Sequence, residues 1–74
     1  MPALILYRDN PAEKMHRYYL LDVQPDLFGQ WSFIREWGRA GQAGQVRHAP
    51  FATEDEAQAA LHRQRCIKQR RGYL

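Results

Sequence analysis

The chain has 74 residues, 45% hydrophobic and 26% charged, a composition that belongs to folded globular domains and excludes a disordered tail. Its net charge is +3; its early apolar run, Ala3 to Tyr7, is too short to span a bilayer and lacks the basic flank and cleavage site of a secretory signal, so the expected compartment is the cytoplasm. A single domain over residues 1–74 is expected, burying only about 60% of its unfolded surface and reaching about 3–5 kcal/mol of net stability.

The first predicted strand is Ala3 to Tyr7, followed by Asp9-Asn10-Pro11, which is turn chemistry. A second strand, His16 to Gln24, is rich in Tyr, Leu and Val and stops at the loop bounded by Pro25 and Gly29. The third runs from Gln30 to Trp37, "GRAGQAG" reads as the next turn, and Gln45 to Pro50 is the fourth strand. Thr53 with Glu56 three residues later forms a capping box that opens a helix. Ala57, Ala60, Leu61, Gln64 and Ile67 recur at helical spacing as its inward stripe, and Gly72 is its stop. One amphipathic helix must bury its stripe on something. The expected fold is therefore α+β: an antiparallel sheet of four to five strands with one C-terminal helix packed on one face.

Little here resembles an enzyme. Cys66 is the one cysteine, and His16, His48 and His62 stand at no ligand spacing, so neither a disulfide, a metal site nor a catalytic thiol is expected. Gly38, Gly41 and Gly44 are spaced three apart and lead into a strand, unlike a dinucleotide loop. No cofactor is expected.

Charge is unevenly spread. Residues 57–74 carry Arg63, Arg65, Lys68, Arg70 and Arg71 and no acid, whereas the first 56 residues carry six bases and eight acids. A helix dipole favours acids at Glu54 to Glu56 and a base or two at the end. Five bases exceed that requirement and suggest an acidic partner, most commonly nucleic acid.

If the third strand is unbroken, Arg35, Trp37 and Arg39 share one face. Trp31 and Phe33 extend this set, and such mixed polarity suggests a bulge before Arg35. An indole flanked by two guanidinium groups is expected to be half-exposed. Two readings stand side by side: the ring stacks on a base or sugar while the arginines hold phosphates, or the arginines pack on the ring and close the sheet end. Gly38 marks a close approach of backbone or ligand under either.

"WGRAGQAGQ" resembles the signature of the WGR domain family, as do "RYYLLDVQ" before it and "FATEDEAQAAL" at the helix start. The resemblance covers residues 3 to 74 and is nearest to short bacterial proteins with a basic "RRGY" end. It implies an antiparallel sheet with one helix, and a domain like that of DNA-dependent poly(ADP-ribose) polymerases, which binds near strand breaks. By position, Trp37 would stack on a terminal nucleotide, Gly38 would permit approach, and Arg39 would contact DNA or a neighbouring domain. Arg35, Arg70 and Arg71 would be backbone contacts. The likeness weakens after the helix, where the polymerase domain has a "TGN" element and a further aromatic; here Tyr73 takes the aromatic's place. The expectation is a DNA-binding module, with docking of an acidic protein as the alternative, no membrane partner, and a monomer or weak homo-oligomer.

Overall fold

The computed structural model describes residues 3–13 and 15–74. Lys14, one of the six bases counted above, lies outside the described residues. The chain forms β1 (Leu4–Asn10), a short 3-10 turn (Pro11–Glu13), β2 (Met15–Pro25), β3 (Trp31–Arg39), β4 (Gln45–Phe51) and α1 (Glu54–Arg70). The four strands make one antiparallel sheet in the order β1-β2-β3-β4, and α1 lies across one face. This is the α+β arrangement expected, with four strands.

Strand ends are set by local chemistry. β1 continues three residues past Tyr7, because Pro11 begins the reversal and Arg8, Asp9 and Asn10 still pair with Arg17, His16 and Met15. Between β2 and β3, Asp26 ties the loop: its Oδ1 accepts from the Phe28 and Gln30 amides at 2.8 and 2.9 Å, and Gly29 takes φ +78°. The third strand runs on through Gly38 and Arg39, which the sequence places in a turn. Two glycines make this possible. A Cβ on Gly38 would stand 2.9 Å from Gly44 Cα, so the chain crosses itself there only because both side chains are missing.

Helix α1 begins where Thr53 Oγ1 accepts from the Glu56 amide at 3.2 Å. It ends in a Schellman turn: the Tyr73 amide donates to Lys68 O, the Gly72 amide donates to Gln69 O, and Gly72 adopts φ +97°. That reversal sends Tyr73 into the core and lays Leu74 against β1, where Leu74 N donates to Tyr7 O at 2.8 Å and Tyr7 N to Leu74 O at 2.9 Å. The β1 edge is thereby covered at that point.

Leu6, Tyr19, Leu21, Val23 and Phe33 from the sheet meet Ala57, Ala60 and Leu61 from the helix, with Leu21 fully buried. The small Ala57 and Ala60 bring the helix backbone close to the sheet. The inward stripe then departs from expectation. Gln64 faces in and donates to the Tyr19 hydroxyl at 3.0 Å, but Ile67 is 42% exposed. Lys68 is the inward residue of that turn, its ammonium 4.5 Å from the Tyr19 ring centroid. From Leu61 and Gln64 the helical period leads to position 68, and a lysine there covers tyrosine with its methylene stem while its head stays near water.

Candidate nucleic-acid interface

The pairing of β2 with β3 is continuous from Pro25↔Trp31 to Arg17↔Arg39, and β3 pairs with β4 without interruption. The bulge expected before Arg35 is absent. Trp31, Phe33, Arg35, Trp37 and Arg39 all belong to the helix side, and their change in polarity follows how far the core extends. Near Phe33 this face is core, while at Arg39 it is exposed.

Successive cross-strand rows on the helix side therefore run from apolar to cationic. One row is Leu4, Leu21, Arg35 and Arg47; the next is Leu6, Tyr19, Trp37 and Gln45; the outermost is Arg8, Arg17 and Arg39. All five strand arginines lie on this face. The three strand acids whose side chains are described, Asp9, Asp22 and Glu36, lie on the other. Like charges directly opposite each other disfavour the sheet, so the outer row is a strand-pairing cost carried at one end of the fold.

Trp37 is half-buried. It stacks on Tyr19 at 5.7 Å between centroids with the planes 13° apart, and Tyr73 meets Tyr19 edge-on at 5.9 Å and 76°. The Arg35 guanidinium carbon lies 5.9 Å from the indole centroid and 6.0 Å from that of Phe33. The indole is thus fixed from below by a tyrosine whose hydroxyl the helix holds. Arg17, Trp37, Gly38, Arg39 and Tyr73 line a groove of about 220 Å³ that opens to solvent. Gly38 contributes backbone to this groove, and its missing Cβ faces Gly44 and the Tyr18 ring on the opposite side of the sheet.

The helix end adds charge. Lys68 has its pKa lowered, first by burial and then by repulsion from Arg71 and Arg35. Arg71 and Arg35 thus act on the cation that lies over Tyr19. Arg70 does not join them: it lines a shallow depression of about 430 Å³ on the back of the helix with His62, Arg63, Cys66 and Ile67. The fold gathers Trp37, Gly38, Arg39 and Arg35, places Arg71 by Lys68 at their border, and sends Arg70 elsewhere. Sequence reasoning missed Arg17, Arg8 and Tyr19. Their parity with Tyr19 and Leu6 was readable, but only the strand register shows that Arg8 and Arg17 align with Arg39.

The WGR domain family model matches residues 3–74. The chain belongs to the WGR domain family. The family is a nucleic-acid-binding type of module and is not catalytic. The chain is also 36% identical over 70 residues to an uncharacterized protein, y4dW, of Sinorhizobium fredii, an alignment covering 95% of this chain and 34% of that relative. It spans about a third of the relative's length. No solved structure gives a significant match. In this WGR domain the eponymous residues close β3: the tryptophan is clamped on Tyr19, the glycine makes room for the hairpin, and the arginine reaches solvent. Among the described residues no group of three or more His, Cys, Asp or Glu could hold a metal ion, and no helix is long and apolar enough to cross a membrane.

Proposed function

We propose that this WGR domain binds DNA, at its backbone and exposed strand ends, through the groove at the end of β3. The observation that carries the reading is the row Arg8, Arg17 and Arg39 beside a half-exposed indole, on a sheet face without described acids. Phosphates relieve the mutual repulsion of these arginines, and Trp37 offers the edge and remaining surface of its ring to a sugar or base. Arg35 steadies the ring, and Lys68 with Arg71 extends the cationic border. The role of Gly38 is to let the hairpin close so that Trp37 and Arg39 stand side by side. Arg70 faces away and contributes long-range charge only. The chain acts as one binding unit, without cofactor or catalysis.

A titration with a short blunt duplex tests this. For about four phosphates neutralised, log affinity falls against log salt with a slope of about −3.6, roughly a hundred-fold between about 50 and 200 mM. Lys68 adds a pH dependence of definite sign. Its lowered pKa means that the free protein loses this charge at a lower pH than an ordinary lysine would. A nearby phosphate favours the charged form, so the complex retains the proton. Affinity therefore falls as pH rises through the depressed value, and Lys68→Arg, which does not titrate, flattens that profile. No response to duplex at about 50 mM salt, where phosphate contacts are strongest, contradicts the reading and points to an acidic protein at the same groove.

A further inference from the structure

The face of the sheet away from the helix is uncovered. Ile5, Tyr7 and Val46 are 43%, 52% and 50% exposed there, and Tyr18, Leu20 and Ile34 are half-buried between them. This face carries no described lysine or arginine. Its acids are Asp9, bonded to His16 at 3.0 Å, Glu36, which accepts from the Tyr18 hydroxyl at 2.9 Å, and the buried Asp22, which accepts from the Val23 amide and the Gln24 side chain. It is an apolar surface with an acidic end, unsuited to nucleic acid.

The back of the helix has the opposite character. Cys66 and Ile67 form an apolar strip flanked by Arg63, Arg70 and His62, all exposed and bordering the 430 Å³ depression. These are the two broad faces of a flat molecule whose Cα atoms span 45 × 24 × 17 Å. Sheet face on sheet face offers Asp9 and Glu36 no lysine or arginine in any orientation. Helix back on helix back leaves those acids without a basic partner. Sheet face on helix back sets them against a surface that carries Arg63 and Arg70.

We infer that copies of this chain stack head-to-tail, the open sheet face of one on the helix back of the next. The charges match under simple translation. The basic half of the helix lies over the Tyr19 row, the same end of the sheet that carries Glu36 and Tyr7 on its other face. The acidic helix start, Glu54 to Glu56, lies toward the opposite end, where the open face presents His48 and Pro50 and its acid, Asp22, is buried with both oxygens bonded. With a helix about 10 Å across and a similar spacing between layers, each copy advances the stack by about 20 Å. A heterologous contact of this kind does not close on itself and grows with concentration. A contact confined to one four-stranded face and one helix back belongs with the small, transient interfaces, so the association is weak. It does not depend on the proposed nucleic-acid reading, and its test uses no nucleic acid.

The test is sedimentation from about 10 μM to about 1 mM, the range in which free energies near −4 to −7 kcal/mol become visible, with Cys66 kept reduced. The expected average mass rises past the dimer without a plateau, and salt lowers it. Val46→Lys and Ile67→Glu each remove the rise, shifting half-association at least ten-fold in concentration. Both side chains are at least 42% exposed, so both variants fold. An equimolar mixture of the two regains association, because each keeps the surface the other has lost. On the unaltered chain, the amides of Tyr7 and Val46 shift with concentration together with those of Arg63 and Ile67. A monomer at every concentration overturns the inference. So does a dimer that only one of the two variants disrupts.

Discussion

Trp37→Ala weakens binding to a nicked or blunt-ended duplex by about ten-fold or more, the effect of losing a stacking aromatic worth about 1–3 kcal/mol. The ring is half-buried and packs on Tyr19, so the variant also loses stability. Trp37→Leu separates the two effects. Leucine retains apolar contact with Tyr19 but offers no flat surface to a sugar or base. It therefore stays folded by circular dichroism while losing affinity nearly as alanine does. Arg39→Ala weakens binding too, but by a phosphate contact alone, and its loss shrinks as salt rises. Wild-type affinity in folded Trp37→Leu would make Trp37 a packing residue and move recognition elsewhere.

Gly44→Ala unfolds the site from beneath. A Cβ there would collide with the Tyr18 hydroxyl and with the backbone carbonyl of Trp37, and the carbonyl cannot swing aside as a flexible side chain would. The same displacement disturbs the Tyr18 bond to Glu36. Overpacking of this kind costs about 1–3 kcal/mol. At about 4–8 °C per kcal/mol, the melting temperature falls by roughly 4–24 °C, a large part of the stability of a domain near 3–5 kcal/mol. Gly41→Ala is the control: that glycine has positive φ, which Gly44 does not, but a Cβ there meets nothing within 4 Å, and the cost is the conformational one of about 1–2 kcal/mol. A Gly44→Ala variant that melts where the unaltered chain does would mean that the hairpin does not close as described. WGR spacing thus has a mechanical basis, with one glycine after the tryptophan and another six residues later to receive it.

The helix was legible because its signals are local: Thr53 caps it, three acids follow, and Gly72 ends it. What depended on distant residues was not. Gly38-Arg39 has the composition of a turn, and only Gly44 across the hairpin keeps it extended. Ile67 is the more apolar residue, yet Lys68 is on the inward side of its turn, where Tyr19 and Tyr73 offer their rings. The mixed polarity of β3 suggested a bulge; the strand is unbroken, and its polar half lies beyond the packed core. Trp37, Arg39 and Arg35 were legible from strand alternation, whereas Arg8 and Arg17 reach the same surface through register alone. The tail arginines illustrate the limit most simply: Arg70 and Arg71 are neighbours in sequence, but the 100° step between helical residues sends only Arg71 toward Lys68.

The most direct test of the central claim is a nitrogen–proton spectrum of the free domain, recorded as a short blunt duplex is added at low salt. The Trp37 indole and the Arg17 and Arg39 side-chain signals should move together, while the amides of Ile5, Tyr7 and Val46 on the opposite face stay still. Shifts confined to that opposite face, or a Trp37 indole that does not move at saturation, would contradict it.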